Sequence, residues 1–264
     1  MKCNFCEGQS KDYLIINHGK ILKCDKCKIA FTYPAPVLPE YELLDFHSCH
    51  TLEKFVANNN IESLHPQWQA LINKQVEILS TYLNKGSNLL EIGCGEGILL
   101  NELKKSGFNV LGIDPSMGAV KRAIQKNINV REGYFDENSF DEKFDAIILS
   151  HVLEHIEDPE KFILTVKKNI KPEGYLFLTQ TNYGGLIPKL QKRNWYAWVP
   201  EQHFWHFSVQ GLIFWLKSLG FKKEYISYIS LVHQSSIKFK VINILNKVLK
   251  TNADQFCIIF KLEE

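Results

Sequence analysis

The segment at 89–99 constrains the chain more than any other. Leu89-Leu90-Glu91-Ile92 reads as a buried β-strand, and it runs without a break into Gly93-Cys94-Gly95-Glu96-Gly97 and then an apolar-periodic helix. Glycines at alternate positions let the backbone turn sharply and approach a ligand closely, while the free amides of the following helix start favour an anionic group. The G-x-G-x-G spacing differs from the G-x-G-x-x-G of dinucleotide binders. About twenty residues on, Asp114 closes the next strand, Val110-Leu111-Gly112-Ile113, where a carboxylate can accept both hydroxyls of a ribose. Together the turn and Asp114 point to a nucleoside-containing cofactor.

The residues that follow keep the strand–helix alternation. Short β-rich runs at 88–92, 109–113, 128–130, 144–149 and 175–179 alternate with helical patterns at 98–106, 115–126 and 159–170. Such repetition requires an α/β fold, with a mostly parallel sheet covered by helices on both faces. Met117, Val120, Ala123 and Ile124 give the second helix a buried stripe, and Lys171-Pro172-Glu173-Gly174 reads as a turn.

The first forty residues obey different rules. Of seven cysteines, four form two pairs, Cys3-x-x-Cys6 and Cys24-x-x-Cys27, on either side of two short apolar runs. Two residues between thiolates let both sulfurs of one turn reach a single ion, and four sulfurs complete the tetrahedral shell that zinc prefers. The reading is a zinc ribbon built on a hairpin, with a closed and therefore structural metal site that replaces a core so short a segment cannot supply. Redox use of either pair would need a helix start to depress a thiol pKa, and hairpin strands surround them instead. Pro34, Pro36 and Pro39 form an extended connector that ends the module near residue 40. From 41 to 85 the pattern is helical, with Trp68, Leu71, Ile72, Val76 and Leu79 on one stripe, and is expected to cover the domain that occupies 86–264.

The motifs at 89–97 (LLEIGCGEG), 110–116 (VLGIDPS), 144–163 (FDAIILSHVLEHIEDPEKFI) and 170–182 (IKPEGYLFLTQTN) resemble, in order and spacing, those of class I S-adenosylmethionine (SAM)-dependent methyltransferases. The resemblance spans about 86–182. It implies a Rossmann-like, seven-stranded sheet closed by an antiparallel strand. It also implies SAM as cofactor, with Glu91, Gly93, Cys94, Gly95 and Gly97 at the methionine end, Asp114, Pro115 and Ser116 at the ribose, and Gly133, Tyr134 and Phe135 near the adenine. Ser150 and His151 fall at the end of the fourth strand, against the sulfonium side. Glu154 and His155 are read as helix-start architecture.

Methyl transfer from a sulfonium is an in-line displacement, so beyond alignment the enzyme needs a base for the acceptor's proton. After Asn182 the chain becomes aromatic (Trp195, Tyr196, Trp198, Phe204, Trp205, Phe207), suggesting a pocket wall or lid within 183–210. There Glu201, His203 and His206 are the candidate catalytic residues, His203 first, since histidine titrates near neutrality and Glu201 can orient an imidazole. The stretch is similar to the E-H-x-x-Y-F-S segment of sugar C-methyltransferases that carry an N-terminal four-cysteine zinc module. His203 stands at its histidine, but Gln202 and His206 replace its glutamate and tyrosine. A structural histidine before a helix is the competing role for His203.

The resemblance and the aromatic segment suggest a small-molecule acceptor, a nucleotide-linked sugar or another glycan precursor, methylated on oxygen or carbon. Lysines in the ribbon keep open an RNA base methyltransferase, and loss of turnover would leave a cofactor-binding adaptor. The formal charge of +2 is too small to imply nucleic-acid or membrane binding in bulk. No run is long enough to span a bilayer and no signal peptide is evident, so a cytoplasmic protein is expected. A lysine-bearing apolar helix is expected over 237–249, packed on the sheet. Nothing in the sequence sets the oligomeric state.

Overall fold

The computed structural model describes residues 1–17, 19–37, 64, 66–230 and 253–263. The expected helix at 237–249 and most of the segment 41–65 lie outside the described residues. The remaining chain divides into two compact units: Met1–Val37 with Leu153–Glu160 and Leu178–Glu264, and Leu38–Val152 with Lys161–Phe177.

The α/β expectation holds. Strands β4 (Asn88–Ile92), β5 (Asn109–Asp114), β6 (Val130–Glu132), β7 (Phe144–Ser150), β8 (Ile170–Thr181), β10 (Phe221–Ile229) and β11 (Gln255–Leu262) form one seven-stranded sheet in the order β10-β11-β8-β7-β4-β5-β6. β4 pairs in parallel with β5 and β7, and β5 with β6, whereas β10 and β11 run antiparallel. Parallel neighbours need crossovers, and helices α2 (Ile98–Lys105), α3 (Met117–Gln125) and α4 (Pro159–Asn169) supply them. Inner strands of such a sheet are buried on both faces, as the unbroken apolar run Ala146, Ile147, Ile148 and Leu149 shows.

Three local details differ from the sequence expectation. In α3, Ala119, Val120 and Ala123 face the core, while Met117 and Ile124 are exposed because they lie roughly 100° around the helix from that stripe. The turn expected at 171–174 is absorbed into β8, which starts directly after α4 and carries Glu173 in the left-handed region at φ 61°. On α1 (Pro66–Tyr82) the buried face includes Gln75 and Ile78, while Val76 is only half-buried. The amide of Gln75 donates to the Ser150 hydroxyl at 3.0 Å, and that partner lets a polar side chain be buried.

In the unit that contains the N-terminus, β1 (Ser10–Ile16), β2 (Gly19–Cys24) and β3 (Ala30–Tyr33) form the antiparallel hairpin system expected of the ribbon. A fourth strand, β9 (Trp205–His206), joins it, with Ala30 opposite His206 and Phe31 opposite Trp205. Ile16, Ile21 and Ala30 of the ribbon share one apolar cluster with Tyr183, Ile187, Trp195 and Trp198. Phe5 packs edge-on against Trp205 and against Trp215 of α6 (Val209–Ser218). The aromatics expected to line a wall or lid are thus mostly core side chains of this unit. A short helix, α5 (Leu186–Gln191), opens the segment.

Candidate functional site

The cofactor turn lies wholly in the unit of Leu38–Val152 and Lys161–Phe177. Gly93, Gly95 and Gly97 have φ of 71°, 53° and 70°, a region costly for residues with a Cβ. Their surroundings differ. A Cβ on Gly93 would stand 2.5 Å from Val152 Cγ2 and one on Gly97 3.0 Å from Ile128, whereas one on Gly95 would enter open space. Gly93 and Gly97 are therefore required by packing, and Gly95 leaves a hollow that a side chain would fill.

Asp114 braces this turn. Its two carboxylate oxygens accept from the amides of Gly95 at 2.8 Å and Ser116 at 2.9 Å, and the residue is fully buried. Ser116 in turn caps α3, accepting from the Ala119 amide. Glu96 is clamped by Arg122 at 2.6 Å and Lys126 at 2.8 Å, which ties the turn to α3. Glu91 is the exception. It is buried, its Oε2 has no hydrogen-bond partner, and burial, helped by the charge of Asp114, pushes its pKa well up. Burial pushes the Cys94 thiol up as well. An orphaned carboxylate oxygen on the strand that leads into this open turn fits a ligand that brings its own ammonium group, as the amino-acid end of SAM does.

The other expected cofactor residues have mixed surroundings. Ser150 accepts from Gln75, and His151, at φ 56°, presents its ring edge to Trp68. Gly133 has open space where a Cβ would stand, and Tyr134 is exposed. Phe135 packs on Phe140 and Phe162.

A methyltransferase-domain family model matches residues 62–226, more than half of the chain. The chain belongs to this methyltransferase family. The open turn with its orphaned Glu91 is where the residues suit the SAM cofactor of such a domain. Among curated relatives, the ubiquinone biosynthesis O-methyltransferase of Rickettsia bellii (strain OSU 85-389) is 29% identical over 149 residues, covering 49% of this chain and 59% of the relative. That of Pasteurella multocida is 32% identical over 139 residues (46% and 55%), and the mitochondrial one of Bos taurus 37% over 108 (37% and 29%). The methyltransferase thus spans little more than half the length of these bacterial relatives and under a third of the bovine one. Two solved structures share the fold. Magnesium protoporphyrin IX methyltransferase from Synechocystis PCC 6803 with bound SAH has a TM-score of 0.56 at 18% identity, covering 84% of this chain and 94% of that one. A SAM-dependent methyltransferase from Archaeoglobus fulgidus gives 0.53 at 21%, covering 84% and 100%.

The remaining candidates all fall in the unit that contains the ribbon. The Sγ atoms of Cys3 and Cys27 are 3.5 Å apart, as are those of Cys6 and Cys24, and all four lie within 4.8 Å of one another. Four sulfurs at about 2.3 Å from one tetrahedral ion would stand about 3.8 Å apart, close to the spacing present. The neighbouring Cys27 thiol draws Cys3 down to about 5.

Of the three catalytic candidates, Glu201 is exposed in a turn. His206 is fully buried, and burial together with nearby His203 holds its pKa well below the usual imidazole range. The Thr32 hydroxyl donates to the His203 carbonyl at 2.7 Å, so at the 3.0 Å contact with Thr32 it is His206 Nε2–H that donates. With Trp198 against its ring, His206 fastens β9 to β3. His203 is buried with Nδ1 3.1 Å from the Ala197 carbonyl, and the carboxylate grouped with it is that of Glu154. His155 lies 4.7 Å away, ring centre to ring centre. Glu154 and His155 belong to a 3₁₀ turn, Leu153–His155, before α4, where helix-start architecture alone would not require a buried carboxylate. The adjacent Glu-His pair was the available signal, but nothing in its spacing links it to His203.

Proposed function

We propose that this methyltransferase transfers a methyl group from SAM to a hydroxyl oxygen of a small molecule. The observation that carries the cofactor half is the orphaned Glu91 carboxylate on the strand that leads into a turn with open space at Gly95. The choice of oxygen is supported by the relatives, which are named O-methyltransferases. Those names do not extend to the nucleotide-linked sugar or glycan precursor expected from the sequence, and no observation favours the RNA or adaptor readings, so the acceptor is kept as a small-molecule alcohol. When bound, SAM supplies a methyl group already activated on a sulfonium. Glu91 takes the cofactor's ammonium, the backbone from Gly93 to Gly97 lies along its amino-acid end, and Asp114 holds the turn in shape while retaining lone pairs for a ribose hydroxyl. Pro115, Ser116, Gly133, Tyr134, Phe135, Ser150 and His151 complete the proposed cofactor residues.

On the acceptor side we place His203, whose Nδ1 is occupied by a carbonyl and whose Nε2 therefore carries the lone pair that serves the hydroxyl. Exposed Glu201 and the buried, neutral His206 take no part in proton removal in this reading. Cys3, Cys6, Cys24 and Cys27 hold a structural zinc, supported by the two close sulfur pairs. Retained thiolates suit a cytoplasmic setting. Among the described residues no helix is long and apolar enough to cross a membrane.

The test is incubation of the zinc-loaded enzyme with methyl-labelled SAM and cell extract, with mass spectrometry locating the label in the product. A methyl ether of a small molecule is expected; label on carbon, nitrogen or RNA would overturn the reading. His203→Asn should lower turnover by about 100-fold or more while cofactor affinity stays within about twofold. Activity retained in that variant would remove His203 from the mechanism.

A further inference from the structure

We infer that Lys23, Lys28 and Lys189 form an anion site on the unit with the ribbon, one that takes the phosphate or diphosphate group of a small soluble ligand. Lys23 lies near the end of β2, next to Cys24, and its ammonium stands 5.2 Å from the ring centre of Tyr13 and 5.6 Å from that of Tyr183. The two rings meet edge-on with centres 5.8 Å apart; Tyr183 is buried and Lys23 half-buried. Such an aromatic pair fixes a cation in place without neutralising it.

The charges around Lys23 leave it without a counter-ion. Lys28 and Lys189 bear on it with like charge and Asp25 with opposite charge, but Asp25 is already in a 2.6 Å ion pair with Lys11. Among the described residues no carboxylate forms a salt bridge with any of the three lysines. Their placement is set by two segments. Lys28 follows the second cysteine pair at φ 63°, and its carbonyl accepts from the hydroxyls of Tyr183 and, at 3.2 Å, Ser208. Lys189 is on α5, which packs on the ribbon through Ile187 in the same apolar cluster as Ile16 and Ile21. Tyr183 thus both lies under the Lys23 ammonium and fastens the backbone of Lys28. Gathering like charges in this way is unfavourable, and a bound anion offsets it.

Three ammonium groups around one already paired carboxylate match a ligand group with more than a single negative charge. A phosphate ester or diphosphate carries that charge near neutral pH, whereas a carboxylate does not, and lysine meets phosphate as a point charge. Base stacking has no platform here, because Tyr183 is buried and the Tyr13 ring already meets Lys23, Tyr183 and Trp198. A compact phosphate therefore fits better than RNA, which needs open aromatic faces along a basic groove. Binding there involves neither the methyl donor nor its acceptor, so it and the methyl-transfer reading can fail separately.

The test uses full-length, zinc-loaded protein with S-adenosylhomocysteine saturating the cofactor site, titrated by calorimetry with pyrophosphate alone and, in a second series, ADP alone. Each should bind once per chain, with an affinity that falls as KCl rises. Lys23→Gln and Lys189→Gln should each weaken both ligands by about tenfold. Lys189 is far in sequence from the cysteines, so its variant decides the matter even if Lys23→Gln fails to fold. In the unaltered protein, pyrophosphate should shift the side-chain resonances of Lys23, Lys28 and Lys189 before those of other lysines. Vesicles containing phosphatidic acid and a single-stranded RNA form separate arms, and binding confined to either would overturn the soluble ligand. No binding of pyrophosphate or ADP, unchanged affinity in both variants, or shifts centred on other lysines would overturn the site. So would faster zinc release from the variants without phosphate binding in the unaltered protein, since the lysines would then serve only to balance the thiolates.

Discussion

In the unit with the glycine turn, three carboxylates are buried: Glu96 is paired with Arg122 and Lys126 and Asp114 accepts two amides, whereas Glu91 Oε2 has no hydrogen-bond partner among the described residues. In the unit with the ribbon, the buried polar groups include thiols, two histidines, Glu154 and Asp254, drawn from segments far apart in the chain; Glu154 accepts from Gln180 and Asp254 from Tyr196. The first holds a buried acid, its pKa raised by burial, that a cationic group of a ligand would suit. The second groups its thiols, two histidines and Glu154 in clusters of metal-ligand composition. A site for a diffusible cofactor gains affinity from an unmet carboxylate, whereas thiols drawn from distant segments can be met together by one metal ion.

That contrast is open to direct attack. The largest effect is expected from Cys27→Ser, which removes a ligand from the proposed zinc. Zinc-dependent folding is worth about 10 kcal/mol or more in small zinc modules, so the unit with the ribbon should lose its packing. Four of the five tryptophans, Trp195, Trp198, Trp205 and Trp215, are in that unit, so near-ultraviolet circular dichroism and fluorescence report it directly. Binding of SAM by calorimetry should survive far better than the tryptophan signal. Equal loss of both would show that the two units are not separable in this way.

Next in size is the pair Gly93→Ala and Gly95→Ala. The first adds overpacking against Val152 to the backbone penalty, about 2–5 kcal/mol together, and should lower the melting temperature markedly. The second meets open space and should cost only about 1–2 kcal/mol, yet lose at least as much SAM affinity because its methyl group occupies the hollow. Unimpaired binding by Gly95→Ala would place the cofactor elsewhere.

A smaller effect of opposite sign is expected for Glu91→Gln. Because burial raises the Glu91 pKa, the cofactor-free wild type should lose stability as pH rises above the ordinary carboxylate range toward the raised value. The glutamine variant should abolish that slope, melt a few degrees higher at neutral pH, and bind SAM about tenfold or more weakly. The smallest effect concerns His206. Its depressed pKa means that stability is full above the usual imidazole range, near 6.5, and declines as pH falls toward the depressed value, by at most about 1.4 kcal/mol per pH unit. Thermal melts between pH 7 and 5 should show this slope in wild type and a flatter one in His206→Gln.

The cofactor turn, the strand–helix alternation and the two cysteine pairs were legible because their determinants are local. Alternate glycines set φ, a period of 3.6 or 2 sets which face is buried, and two intervening residues set the reach of two thiolates. Gln75 was not legible as a buried residue, since what permits its burial is a hydroxyl 75 positions away at Ser150. Likewise Glu154 and His155 carried no mark of their partner, nor did the aromatic segment carry a sign that it serves as core to the ribbon.

By itself, then, the sequence determined an α/β methyltransferase sheet, the backbone shape of the cofactor turn and the thiol clusters, all set by chain geometry over a few residues. Tertiary structure alone decided that Trp205 and His206 extend the ribbon as a fourth strand and that Glu154, His155 and His203 converge. Those contacts join positions from 48 to 176 residues apart, as the pairs His155 with His203 and Ala30 with His206 show. No local propensity encodes such a pairing, because its free energy comes from burial and hydrogen bonds that exist only once both segments are in place.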